Sequence, residues 1–101
     1  MPDPRIFPIV NVTDTFATVS AVSVLVLAAN PTRGDADLIN DSAAVMYLGR
    51  GNAAVIGSGE RLNANGGSYH IGTNNLFLGN VYAITGSQDE NNLAISEGNI
   101  Q

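Results

Sequence analysis

The sequence has no cysteine, no lysine and no tryptophan, and a single histidine, His70. Without cysteine there is no disulfide, no thiolate nucleophile and no zinc–thiolate site, and the redox compartment is left open. Without lysine the positive charge rests on four arginines, Arg5, Arg33, Arg50 and Arg61, scattered over 101 residues. Scattered cations make no basic stripe, and the net charge is −5. Nucleic acid and an anionic membrane surface are therefore excluded as expected partners. Charged residues of both signs make up 13% of the chain, about half the share in an ordinary soluble domain. Asn, Ser, Thr and Gly supply the polar cover instead. A surface poor in charge and free of lysine has the make-up of a protein interface, where Lys and Glu are depleted.

A long hydrophobic run is also missing. The most apolar stretch, Phe16 to Ala29 (FATVSAVSVLVLAA), falls short of the about 20 residues that a bilayer span needs. It does not fit a signal peptide, because Asp14 precedes it and Pro2, Pro4 and Pro8 lie upstream where a positive segment would stand. Thr18, Ser20 and Ser23 interrupt it at strand-like intervals. The expectation is two buried strands, the second of them central because it is apolar on both faces.

No window keeps a helical period of apolar residues long enough to predict a helix. Short runs rich in Val, Ile, Leu and Tyr alternate with Gly, Asn, Asp, Ser and Pro, the rhythm of a sandwich or barrel. The expected fold is all-β: a small antiparallel β-sandwich or barrel with an extended N-terminal arm. Residues 1–12 are read as the arm and residues 13–101 as a single β domain. The prolines at 2, 4 and 8 fix φ and remove donors, so the arm cannot be a central strand. Strands are predicted over 13–19, 23–28, 36–40, 44–48, 53–56, 60–63, 68–71, 76–78, 81–85 and 93–96. The third and fourth are read as a hairpin about Asp41-Ser42. Asn65-Gly66-Gly67 is the strongest hairpin turn, since these residues accept φ > 0 cheaply. Residues 86–92 form a polar loop.

Chemistry finds little to stand on. Ser68, His70 and Glu60 could be written as a hydrolytic triad, but no nucleophile elbow supports it, and Gly57-Ser58-Gly59 is a turn pattern. His70 reads as an ordinary strand histidine. Asp35, Asp37 and Asp41 have the opening spacing of a calcium loop, yet its fifth, sixth and twelfth positions would be Ile39, Asn40 and Met46, which cannot serve. The adjacent carboxylates Asp89 and Glu90 point apart in a strand or turn. Gly49-Arg50-Gly51 precedes no helix and no G-K-[ST], so it is not a phosphate loop. Asn11-Val12-Thr13 and Asn40-Asp41-Ser42 match the N-glycosylation pattern, which Asn-rich chains meet by chance. The expectation is no enzyme, no catalytic or metal residue and no cofactor.

Several segments nevertheless form a familiar series. They are Asn30-Pro31, Leu38 to Ser42, Val45 to Ala54, Arg61 to Ile71, Asn75 to Gly79 and Val81 to Ile84. Together they resemble a module of small structural proteins of tailed bacteriophages, over roughly residues 23–96. The resemblance implies a virion protein. It implies a capsid decoration (cement) protein on the outside of the head, in the host cytoplasm before assembly, that binds the major capsid protein and itself, as a homotrimer at three-fold positions. The alternative it implies is a fibre or receptor-binding module that uses loops such as 86–92. Within the first reading, the adhesive segment expected from the residues is Ile6, Phe7, Pro8, Ile9 and Val10, able to add along a neighbour's sheet edge.

Overall fold

The computed structural model describes residues 8–87 and 90–100. Eight strands follow one another in the chain: β1 (Asn11–Val19), β2 (Val24–Leu27), β3 (Arg33–Asn40), β4 (Met46–Arg50), β5 (Glu60–Leu62), β6 (Ser68–Ile71), β7 (Val81–Thr85) and β8 (Asn91–Asn99). One short 3-10 turn, Thr73–Asn75, lies between β6 and β7, and the described residues include no α-helix. The strands form two four-stranded antiparallel sheets, β1-β8-β3-β6 and β2-β7-β4-β5. These are called sheet A and sheet B below. The sheets pack face to face, with β1 over β2 and β7, and β5 over β6. The fold is a β-sandwich.

Alternation along each strand explains the packing. Side chains point to opposite faces at successive residues, and β3 buries Ala36, Leu38 and Asn40 while Asp35, Asp37 and Ile39 face out. In the same way β4 buries Met46 and Leu48, β7 buries Val81, Ala83 and Thr85, and β8 buries Leu93 and Ile95. With Val19, Leu27, Leu62 and Ile71 these residues form one core between the sheets. Each fully buried Leu, Ile, Val or Met contributes about 1.5–3 kcal/mol over the exposed state.

Three buried polar side chains stand in this interior, each with partners. Arg33 is 1% exposed. Its Nε donates to Glu97 Oε2 at 2.6 Å, Nη1 to the carbonyls of Phe77 and Gly79, and Nη2 to the carbonyl of Ala28. One guanidinium thus ties the ends of β2 and of the segment before β7 to β8. Asn40 donates from Nδ2 to the carbonyls of Ala44 and Leu62, and its Oδ1 accepts from Ser42 Oγ. Thr85 Oγ1 donates to the Val45 carbonyl at 2.7 Å.

Several local expectations change in three dimensions. β1 begins at Asn11, inside the segment read as an arm, because Asn11 and Val12 continue the ladder against Asn99 and Gly98. β2 is an edge strand of sheet B, not a central one. β3 and β4 are not a hairpin: β3 lies in sheet A and β4 in sheet B, and Asn40 is the pivot between them. The Asn65-Gly66-Gly67 turn adopts the expected positive φ, +59° at Asn65 and +114° at Gly66. It, too, carries the chain from one sheet to the other, with the Gly66 amide donating to the Asn40 carbonyl at 2.7 Å. Residues 53–56 and 76–78 are not strands. The physical reason is shared. Turn chemistry fixes the local φ, and it is the same whether the two strands then pair by hydrogen bonds or by side chains across the core.

Candidate functional site

The five residues expected to dock divide at the boundary of the described structure. Ile6 and Phe7 lie outside the described residues. Pro8 and Val10 are exposed, and the Val10 amide donates to the Asn99 carbonyl at 2.8 Å, which prolongs the β1–β8 pairing. Ile9 packs back on its own domain, over the bare backbones of Gly34 and Gly98. A Cβ at Gly34 would stand 2.5 Å from Ile9 Cδ1, so the two glycines make the seat for this side chain.

The larger apolar surface lies on β1 and β2, which share one lateral side of the sandwich. Of the exposed large hydrophobic residues among those described, Val10, Val12, Phe16, Val22, Val24 and Leu25 belong to these strands or flank them, Leu78 lies beside the chain leaving β2 with its carbonyl accepting from the Asn30 amide, and Ile39 lies on β3. Phe16 is 66% exposed and Val22 73%. Between Pro8 and Thr32 the single charged residue is Asp14. Sequence hydropathy predicted strands here but not their position, and a strand apolar on both faces need not be central when its edge is open.

A second uncharged segment joins β2. The chain leaving β4 crosses the outer surface of sheet B directly over Gly49, where a Cβ would fall 2.5 Å from the Asn52 carbonyl oxygen and 3.0 Å from that of Ala53. It then reaches the start of β2, and the Ala54 amide donates to Ser23 Oγ at 2.9 Å. That bond sets residues 53–56 beside residues 22–25. Val55 and Ile56 are exposed there, as are Val22 and Leu25, whereas Val24 lies opposite buried Ala83 on the core-facing side of β2. Neither segment carries a charge. Under the crossing loop is a cavity of about 220 Å³ lined by Leu48, Gly49, Arg50, Val55 and Glu60 among others. It is smaller than the about 300–1,000 Å³ of common ligand sites. Its charged walls, Arg50 and Glu60, pair with each other at 3.4 Å.

The opposite lateral side, β5 and β6, is short and polar. β5 has three residues and β6 four, and they carry Glu60, Arg61 and His70. The 3-10 turn folds back so that Asn75 Nδ2 donates to the His70 carbonyl at 2.7 Å, while Asn75 Oδ1 accepts from the Gly72 amide. Short strands, charges and side-chain caps are the devices that block an edge from pairing.

Ser68, His70 and Glu60 do not come together as a triad. His70 Nδ1 lies 2.7 Å from Asp37 Oδ1 across the β3–β6 pair, on the solvent face of sheet A. Its Nε2 lies over Gly72, where a Cβ would stand 2.7 Å away. That is the neighbour on the far side from Ser68, so Ser68 and Nε2 are not brought together. Glu60 is in the other sheet, on Arg50. Among the described residues no three His, Asp or Glu side chains are grouped to hold a metal ion. Asn40 of the second glycosylation match is fully buried in the β3–β4 pivot. Compared with protein-family models, curated proteins and solved structures, the chain returns no match.

Proposed function

We propose that this chain is a non-catalytic structural protein of a virion. In this reading it is a decoration protein that seats on the outside of a tailed-bacteriophage head and bridges neighbouring major capsid proteins. The observation that carries the reading is the set of exposed, uncharged aliphatic residues Val22, Leu25, Val55 and Ile56, on two segments joined by the Ala54–Ser23 hydrogen bond. Exposed apolar surface brought together from separate segments is the kind that marks protein-binding sites. The resemblance of residues 23–96 to phage structural modules supplies the setting, and the capsid protein is the partner that follows. Ile6, Phe7, Pro8 and Val10, which precede β1 in the sequence, add a second contact. Fully burying an apolar side chain is worth about 1.5–3 kcal/mol, so a few anchors on a neighbour suffice after ordering costs.

Undecorated capsids provide the test. Purified protein should sediment with them at saturable stoichiometry. Val22→Asp and Ile56→Asp should each abolish that binding while the melting temperature stays the same. Removal of residues 1–7 should weaken binding and leave the domain folded, because Ile9 and Val10 remain to complete the sheet. Mass spectrometry of native particles separates the settings: a copy number matching the capsid lattice supports decoration, and a handful of copies per particle moves the protein to a fibre. Wild-type saturation by both patch variants would sink the docking surface.

A further inference from the structure

We infer that two copies of this chain join through β1, edge to edge and antiparallel, in register about Phe16, a dimer in place of the homotrimer that the resemblance implies. Among the described residues β1 pairs with β8 alone, so the backbone groups on its other side have no strand partner there. It is the longest free edge here, nine residues against four in β2. Its register against β8 is unbroken from Asn11 to Val19, whereas the β2–β7 pair is irregular between Leu25 and Leu27. It contains no proline and one charge, Asp14. A long, regular, nearly uncharged edge is the surface most prone to pair with another chain.

The sequence of β1 fits a second copy of itself. With the two-fold at Phe16, the facing residues are Phe16 and the partner's Phe16, Thr15 and the partner's Ala17, Asp14 and the partner's Thr18, and Thr13 and the partner's Val19. Aromatic pairs directly opposite stabilise an antiparallel ladder, and like charges directly opposite destabilise it. This register makes the first and avoids the second. A two-fold at Asp14 would set two carboxylates face to face, and one at Thr15 would set each carboxylate against a phenyl ring. Among the described residues no other side offers a comparable strand, since β5 and β6 are short, charged and capped. The joint therefore closes at two copies and does not run on into a fibre.

The two-fold also has a consequence for docking. Antiparallel strands in one sheet are related by an axis normal to that sheet, so both copies turn sheet B to the same side. The exposed residues of its outer face, Leu25 with Val55 and Ile56 of the crossing loop, then face one way in both copies. A dimer of this kind is bivalent toward a surface, and the second contact is gained at high effective concentration. This consequence rests on the docking reading above; the pairing itself does not.

A chain without cysteine makes the test direct. Phe16→Cys should cross-link to a dimer on mild oxidation, because facing residues of an antiparallel pair have Cα atoms about 4.5–5.5 Å apart, within disulfide reach. Ile39→Cys, exposed on the same face of sheet A two strands away, should stay monomeric on a reducing-agent-free gel. An equal mixture of Asp14→Cys and Thr18→Cys should give the mixed dimer in excess over either homodimer. Sedimentation should show a dimer for the wild-type protein and a monomer for Phe16→Glu, with the β-type circular dichroism unchanged. Cross-linking of Phe16→Cys no faster than Ile39→Cys would overturn the pairing, and so would a wild-type monomer or trimer in sedimentation. None of these measurements involves a capsid, so failure of the pairing and failure of the decoration reading are told apart.

Discussion

On one lateral side of the sandwich, β1 and β2 leave Val12, Phe16, Val24 and Leu25 in solvent with one charge between Pro8 and Thr32. On the other side, β5 and β6 bury Leu62 and Ile71 completely, carry Glu60, Arg61 and His70, and have a carbonyl capped by Asn75. Both sides end the same two sheets and face the same edge hazard. One meets it with short strands, charge and a cap; the other leaves it open. A fold that needed only to be stable and solitary would gain from treating both alike. The difference teaches which side of the molecule leaves apolar residues and strand edges uncovered, the side on which the proposed contacts are placed.

The comparison can be broken in several ways. The largest effect is expected where the open side is fastened to the rest. Arg33→Met leaves Glu97 without its buried cation and the carbonyls of Ala28, Phe77 and Gly79 without a donor. Removal of one partner from such a buried pair costs about 3–5 kcal/mol, read as a lowered urea midpoint. The double change Arg33→Met with Glu97→Leu should recover part of it. Full stability of Arg33→Met would mean that β2 holds its place by apolar packing alone.

Next come truncations on the two sides. Leu62→Ala and Ile71→Ala should each cost about 2–5 kcal/mol, the range for buried aliphatic residues. Val12→Ala and Phe16→Ala, measured at a dilution where the protein is monomeric, should stay within about 0.5 kcal/mol of wild type. Equal losses on both sides would erase the distinction, because β1 would then be part of the core.

The smallest effect on stability sharpens the other half of the contrast. Arg50 and Glu60 form a half-exposed pair, and Arg50 also lies 5.6 Å from the centre of the Tyr69 ring. Arg50→Ala should cost about 1 kcal/mol or less. Replacing Glu60, Arg61 and His70 together by Thr should likewise change the melting temperature little. Light scattering is the informative reading, since an unblocked β5–β6 side adds a second open edge and should turn a closed dimer into growing aggregates. A clear solution would show that shortness and the Asn75 cap suffice without charge.

The strand content was legible before any coordinate. The alternation in Leu38-Ile39-Asn40 and in Val81 to Thr85 carries its own inside and outside, and Asn65-Gly66 announces a positive φ that the backbone adopts. The low charge of residues 8–32 was legible too, as was their apolar character. Less was legible of the candidate site. Val55 and Ile56 were read as a strand, and their place beside Val22 depends on one hydrogen bond from Ala54 to Ser23 across distant sequence. Ile9, read as part of an adhesive arm, has its side chain seated over Gly34 and Gly98.

The sequence by itself determined the class of fold, the positions of most strands and turns, and the scarcity of charge. Each of these is written in the period of neighbouring side chains or in the φ that a turn residue permits. Only the tertiary structure decided that β1 pairs with β8 from the other end of the chain, that β3 and β4 part into different sheets, and that Arg33 is an interior residue. Pairing between strands is settled by side chains meeting across the core and by backbone groups far apart in sequence. An edge strand and a central strand can therefore read alike until the sheet order is known, and that order is what leaves β1 and β2 open.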